Sequence, residues 1–108
     1  ANKRIRNILR KAEMEIPVGY RMNELNSVSE IKLAEEINEA KKFIYPLIKS
    51  GDYSAALVKL ATLKDSVDGF FSDVMVLCDD LTLRKNRLAL LRTLHDTFQD
   101  IADISRLK

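Results

Sequence analysis

Apolar residues recur at steps of three and four along most of this chain, and this period constrains its fold more than any other feature. The spacing is that of one face of an α-helix. It is clearest near the end of the chain, at Leu88, Leu91, Leu94, Phe98 and Ile101. With only 3 Gly and 2 Pro in 108 residues, little interrupts the helical pattern. We predict an all-α helical bundle of about five helices, at a length typical of one domain.

The first part of the chain predicts a short helix and then a long irregular connection. Residues 2–13 carry an apolar stripe at helical spacing, and the helix ends before Pro17 and Gly19. The connection extends over residues 15–26. Because the first helix is short and has no Trp or Phe on its apolar face, that face is better suited to closing a bundle than to lying on a membrane. Nothing in the chain approaches the roughly 18 apolar residues of a membrane span.

Local signals place the next two helices. Ser27 and Glu30 have the spacing of a capping box, which predicts the start of a second helix. Pro46 ends that helix or kinks it, because proline lacks the N–H that the helix needs. Gly51 then supplies a left-handed turn, and Asp52 supplies the N-cap of a third helix.

Residues 66–78 form the least regular segment. The apolar run at 74–77 would suit a buried strand, but a lone strand among helices has no partner to pair with. We therefore predict a helix over 66–78. Asp79 or Asp80 then caps the last and longest helix.

The net charge of +2 conceals a division along the chain. Residues 1–22 carry a net charge of +4, residues 23–80 carry −5 and residues 81–108 carry +3. All eight arginines lie in the two basic ends: Arg4, Arg6, Arg10, Arg21, Arg84, Arg87, Arg92 and Arg106. The guanidinium fork suits phosphate and can stack on rings, so first and last helices packed side by side would collect an RNA-binding patch. On charge alone, two amphipathic helices with basic solvated faces are the simpler account.

The residue types in this chain give little support to a catalytic or metal-binding function. Cys78, His95 and Asp96 have the residue types of a nucleophile, a base and an orienting acid. However, Cys78 lies in the most apolar run, where a thiol is usually packed and inert. One Cys and one His are too few for a zinc site, and no glycine-rich phosphate loop is present. We assign no catalytic residue and no metal ligand, and we expect no cofactor in this domain.

Unpaired RNA is the ligand that the remaining features favour. Proteins read RNA loops by stacking bases on aromatic or guanidinium planes, while Arg and Lys hold the phosphates. Tyr20 and Arg21 form such a pair in the irregular connection, beside the basic first helix. An ordinary surface turn would account for the same dipeptide.

Four stretches, in order, carry a resemblance to a known family. They are residues 1–9 (ANKRIRNIL), 70–77 (FFSDVMVL), 83–91 (LRKNRLALL) and 98–105 (FQDIADIS). Together they strongly resemble the C-terminal end of the beta subunit of bacterial glycyl-tRNA synthetase. The resemblance covers nearly the whole chain and is weakest across residues 15–50.

The resemblance implies an anticodon-binding domain similar to that of arginyl-tRNA synthetase, named for an Asp-Ala-Leu-Arg signature. Leu83 and Arg84 match that signature here. It also implies a cytoplasmic bacterial ligase of two alpha and two beta subunits, in which the alpha subunit handles ATP and glycine. The implied partners are glycine tRNA, the rest of the beta subunit and the alpha subunit. Ala1 stands where an initiator Met would, so we expect residues 1–108 to be one non-catalytic domain of a larger subunit.

The candidate RNA-binding residues are cations of the two basic ends together with the aromatic residue of the connection. They are Lys3, Arg4, Arg10, Tyr20, Arg21, Arg84 and Lys85. Arg87 directly precedes the apolar seam, so we expect it to pair with an acid such as Asp68 or Asp73. Arg84 lies nearer the helix start, where an acid of the cap or an RNA phosphate would balance its charge.

A helical protein-interaction domain that docks another subunit is the alternative function. The surface separates the two hypotheses. A contiguous arginine-rich face favours RNA, whereas an exposed apolar patch of several hundred Å² favours a protein partner.

Overall fold

The computed structural model describes residues 2–12, 14–17 and 19–106. Regular structure in these residues is entirely helical. The elements are α1 (Asn2–Lys11), a 3-10 turn (Met22–Glu24), α2 (Val28–Lys49), α3 (Tyr53–Ala61), α4 (Lys64–Asp73) and α5 (Leu81–Arg106). The prediction of an all-α bundle of about five helices is confirmed. None of the described helices is long and apolar enough to cross a membrane.

The helices pack around α2 and α5. The α2 helix contacts α3 and α4, which follow one another with little interruption and run back along it. The α5 helix contacts α1, α2 and α3. Two side-chain hydrogen bonds fix the antiparallel register of α2 and α4, because Ser29 donates to Asp73 and Ser66 donates to Glu36. Since α5 contacts α1, the first and last helices lie side by side.

The core contains apolar side chains from every α-helix. Its largest fully buried members are Phe70, Leu33, Ile37, Leu88, Leu90, Leu91 and Ile101. The predicted seam of α5 is buried apart from Phe98, which is half-buried against the core. Burying one large apolar side chain is worth about 1.5–3 kcal/mol, so α5 supplies a major share of the stabilisation.

The start of α2 agrees with the predicted capping box, with one difference. Ser27 Oγ accepts a hydrogen bond from the Glu30 backbone N–H at 3.2 Å, as in a standard box. The Glu30 carboxylate reaches one residue further back, where it accepts from the Asn26 backbone N–H at 2.9 Å. This reach places the Glu30 side chain inside the protein rather than on the helix surface.

Of the two outcomes predicted at Pro46, the end of the helix does not occur. Pro46 does not end α2, which continues to Lys49. Pro46 and Lys42, whose carbonyl would have received the missing N–H, are both exposed, so water can take that partner's place. Gly51 adopts the predicted positive φ of 82°, and Asp52 caps α3.

The segment between α4 and α5 is not helical, so the prediction of a helix over 66–78 is wrong in its second half. The α4 helix ends at Asp73, and Val74 has extended backbone angles, φ −123° and ψ 126°. Val74 and Val76 are buried, whereas Met75 between them is exposed. This alternation is that of an extended segment, in which two β-branched side chains reach the core.

Candidate nucleic-acid interface

Two side chains of α5 hold the irregular connection against that helix. Arg92 Nη1 donates to the carbonyl of Ile16 at 2.6 Å. Asn86 binds both backbone groups of Arg21, because its Oδ1 accepts from the N–H at 2.6 Å and its Nδ2 donates to the carbonyl at 3.0 Å. The connection is thus fixed at two points, and the backbone conformation at Arg21 is set by α5.

Arg87 fixes the end of the connection and the segment before α5. Its Nε donates to the Glu30 carboxylate in an ion pair, its Nη1 donates to the Met75 carbonyl at 2.7 Å, and its Nη2 donates to Asn26 Oδ1 at 3.3 Å. This guanidinium therefore joins three stretches of chain. Its charge is used inside the fold and is not available to RNA.

The predicted acid partner of Arg87 is wrong. Asp68 pairs with Lys64 one turn earlier on α4, at 3.2 Å, and Asp73 accepts from Ser29. The acid that meets Arg87 comes from the start of α2 instead, where Glu30 is fully buried. A buried carboxylate needs a counter-charge, and Arg87 supplies it.

A cleft of about 350 Å³ lies between the connection and the first turns of α5. Its lining residues are Pro17, Gly19, Arg21, Glu24, Thr82, Lys85 and Asn86. Two of the predicted RNA-binding residues stand on its two walls, Arg21 on the connection and Lys85 on α5, and both are exposed. Arg21 Nη1 also lies 3.5 Å from Glu24 Oε1. The cleft thus combines two cations, a carboxylate and a hydroxyl, which can hold a phosphate and hydrogen-bond the edge of a base.

Tyr20 lies apart from this cleft although it precedes Arg21 in the sequence. Its hydroxyl donates to Asn38 Oδ1 on α2 at 3.2 Å, and its half-buried ring packs against the core. Burial raises the pKa of the Tyr20 hydroxyl above 10.0, and the hydrogen bond with Asn38 opposes that shift in part. The Tyr20 hydroxyl therefore holds the connection to α2, and only the exposed part of the ring is open to a stacked base.

The cations of α1 form a separate group. Lys3, Arg4 and Arg10 are exposed, and the Arg4 guanidinium lies over the Phe71 ring, 4.3 Å from its centroid. Ile5 lines an apolar cavity with Leu94 of α5. Since Leu94 is nine residues beyond Lys85 in α5, the beginning of α1 lies about 14 Å along that helix from the cleft. Lys3 and Arg4 thus lie away from the cleft, so the candidates do not form one arginine patch.

Arg84 is half-buried at the start of α5. Its Nε is buried and has no hydrogen-bond partner among the described residues. The cap acid Asp80 is engaged with backbone, since its Oδ1 accepts from the N–H groups of Thr82 and Leu83. The Nε is enclosed by the protein, so only the exposed part of this half-buried side chain can meet an acceptor from outside.

The structure separates Cys78, His95 and Asp96. Cys78 precedes α5, with its Sγ 3.5 Å from the Asp80 carbonyl, whereas His95 and Asp96 are neighbours in the middle of that helix. The rise from Leu81 to His95 alone is about 21 Å. These residues do not form a nucleophile and base pair. The described residues also contain no group of three or more His, Cys, Asp or Glu that could hold a metal.

Asn86, Glu24 and Thr82 are the polar cleft residues that the sequence did not identify. Asn86 is buried, and its role as a clamp depends on Arg21, which is 65 positions away. A polar residue close to the apolar seam of α5 is the available signal, but helical spacing alone does not distinguish it from a solvated side chain. Glu24 offers no signal beyond a charge in a short turn.

Residues 1–105 match the family model described as the DALR anticodon binding domain. The chain belongs to this family. Over all 108 residues it is 46% identical to the glycine–tRNA ligase beta subunit of Aeromonas salmonicida, 49% to that of Shewanella amazonensis and 47% to that of Shewanella baltica (strain OS185). The chain spans only 16% of the length of each of these relatives. The predicted resemblance is confirmed, and the DALR family fits the all-helical fold.

Proposed function

We propose that this chain binds the anticodon region of glycine tRNA, as the DALR domain of a glycine–tRNA ligase beta subunit. The match of residues 1–105 to an anticodon-binding family is the observation that carries the proposal. Relatives that align along the whole chain are glycine–tRNA ligase beta subunits, which supports glycine tRNA as the ligand. The domain contributes recognition to tRNA aminoacylation and no catalytic group.

The cleft between the connection and α5 is the part of the surface best suited to a nucleotide of the anticodon loop. Arg21 and Lys85 hold phosphates on either side. Glu24 accepts hydrogen bonds from the amino group of a base. Because Asn86 fixes the backbone of Arg21, that wall of the cleft is in place before RNA arrives, and only the exposed side chains of Arg21 and Lys85 become ordered on binding.

Charge-matched variants test the cleft. Lys85→Ala and Lys64→Ala each remove one exposed lysine, but Lys64 lies on α4 and pairs with Asp68. We expect Lys85→Ala to weaken binding of glycine tRNA and to lower the salt dependence by about 0.7 in the slope of log K against log salt. Lys64→Ala should bind like the unaltered chain. Equal effects of the two substitutions would contradict a role for the cleft.

The larger assembly is part of the same proposal. The domain would act within a bacterial cytoplasmic enzyme of two alpha and two beta subunits, whose alpha subunit handles ATP and glycine. The chain alone is then expected to give no glycine-dependent pyrophosphate exchange. Exchange by the purified chain would refute this division of labour.

A second function is favoured by the apolar side chains at one end of the bundle. Large apolar residues that are exposed cluster in the segments around the start of α2 and the start of α5: Met22, Val28, Ile31, Met75, Leu77 and Leu81. Arg87 draws these segments together by binding Met75 and Asn26. We propose that this end contacts the rest of the beta subunit. Met75→Asp should then weaken binding of the chain to the separately produced remainder of the subunit and leave tRNA affinity unchanged.

A further inference from the structure

The α2 helix exposes two aromatic residues in contrasting surroundings. Phe43 is 60% exposed and Tyr45 is 64% exposed. Two residues of separation rotate their side chains by about 200° around the helix, so they lie on opposite sides of it. Single exposed apolar side chains are common on protein surfaces, so what distinguishes the two rings is the charge around each of them.

Lysines surround Tyr45. Lys41, Lys42 and Lys49 stand four residues before, three before and four after it, which places all three on the same helix face. All three are exposed, and Lys49 Nζ lies 5.0 Å from the centroid of the Tyr45 ring. None of the positions three or four residues from Tyr45 on either side carries an acidic residue. This face of α2 therefore presents an aromatic ring with positive charge around it.

Acidic residues accompany Phe43 instead. Glu39 and Glu36 stand four and seven residues before it, on its own face of α2. The one cation over its ring comes from α3, where Lys59 Nζ lies 5.0 Å from the centroid. The charge around Phe43 is thus mixed, and a polyanion gains little there.

We propose that Tyr45, Lys41, Lys42 and Lys49 form a second RNA-binding surface, on which an unpaired base stacks on Tyr45 and the lysines hold its flanking phosphates. Stacking platforms bordered by cations are how proteins bind single strands without reading sequence. The inference rests on the proposed RNA-binding function, but it uses residues outside the cleft. Three lysines, with no acid at the positions three or four residues from Tyr45, suit a polyanion rather than an apolar protein surface.

The connection links this surface to the cleft. Tyr20, next to Arg21, places its hydroxyl on Asn38. Asn38 stands seven residues before Tyr45, which is two helical turns and about 11 Å along the same face of α2. Tyr20 thus lies between Arg21 and the lysine face along the chain of contacts, so the two sites are close enough to bind neighbouring parts of one RNA molecule.

Substitutions of the two aromatic residues provide the test, because both side chains are exposed and neither change should alter the melting temperature. Binding of the chain to glycine tRNA is measured by fluorescence anisotropy. We expect Tyr45→Ala to weaken binding about 5- to 150-fold, the effect of losing one stacked base. Tyr45→Phe, which keeps the ring, should bind like the unaltered chain, and so should the matched control Phe43→Ala.

Replacing the three lysines of this face by Gln adds an electrostatic readout. The slope of log K against log salt should become shallower by up to about 2, since each phosphate contact on a single strand contributes about 0.7. If the unaltered chain binds RNA but Tyr45→Ala behaves like Phe43→Ala, the second surface is refuted and the proposed function stands. If the unaltered chain does not bind glycine tRNA at all, the proposed function itself fails.

Discussion

Arg87 of α5 and Glu30 of α2 form an ion pair inside the protein, although they are 57 positions apart in the sequence. The Glu30 side chain is fully buried and the Arg87 side chain is 11% exposed. The same two side chains also bind backbone groups of Met75 and Asn26. A buried pair of this kind adds little net stability, but losing one partner is expensive because the other charge stays buried.

Arg87→Met should therefore destabilise the fold by about 3–5 kcal/mol, a large part of the roughly 5–15 kcal/mol that holds a domain together. Urea denaturation measures the change. The double variant Arg87→Met with Glu30→Leu removes the stranded carboxylate, so it should be more stable than the single variant. A double variant that is no more stable than the single one would show that the charge of Glu30 is not the cause.

Arg84→Ala and Arg87→Ala should affect different properties: the first should weaken tRNA binding, and the second should lower the stability of the fold. Arg84 Nε is buried without a partner among the described residues, so removing the side chain costs the fold little. We expect a clear loss of tRNA affinity with Arg84→Ala and a large fall in melting temperature with Arg87→Ala. Both properties are measured for both variants. The assignment fails if Arg84→Ala is the more destabilising, or if it leaves tRNA affinity unchanged.

Asn86→Asp should loosen the connection without removing any cation. An aspartate at position 86 can still accept from the Arg21 N–H, but it cannot donate to the Arg21 carbonyl. The lost bond and the facing oxygens should cost about 1–3 kcal/mol locally. Faster hydrogen exchange at the Arg21 amide, with exchange at core Leu33 unchanged, is the expected result. Equal protection of Arg21 in both proteins would contradict the clamp.

Tyr20→Phe should change how stability depends on alkaline pH. Burial raises the pKa of Tyr20 above 10.0, so the folded state holds the phenolic proton more tightly than the unfolded state. The stabilisation from that proton is complete below about pH 10 and is lost as the pH rises through the folded-state pKa. Denaturation of both proteins from pH 8 to 11 should therefore show a shallower decline for Tyr20→Phe. Identical slopes would contradict the burial.

Local features of the fold were predictable from the sequence. The caps at Ser27 and Asp52 and the seam of α5 depend on residues three to seven positions apart, which helical geometry brings together wherever the helix lies. The helix predicted through 74–77 is wrong because an apolar run does not reveal whether its backbone continues as a helix. Here the Met75 carbonyl bonds to Arg87 instead of to a following helical N–H.

Only the two cations of the cleft were predictable from the sequence. Arg21 and Lys85 followed from the arginine-rich ends and the family resemblance, but the clamp at Asn86 joins residues 65 positions apart and left no local pattern. Counting charge by segment also placed Lys41, Lys42 and Lys49 in an acidic region. Their alignment on one face of α2 is visible only once residues are considered by helical position.

Binding of two tRNAs that differ only in the anticodon tests the central claim most directly. The affinity of the chain for glycine tRNA and for glycine tRNA with a changed anticodon is measured over a range of salt concentrations. We expect at least about tenfold tighter binding to the first, equivalent to about 1.4 kcal/mol, and a slope of a few units in log K against log salt. Equal affinity for the two tRNAs, or an affinity independent of salt, would contradict anticodon recognition by this domain.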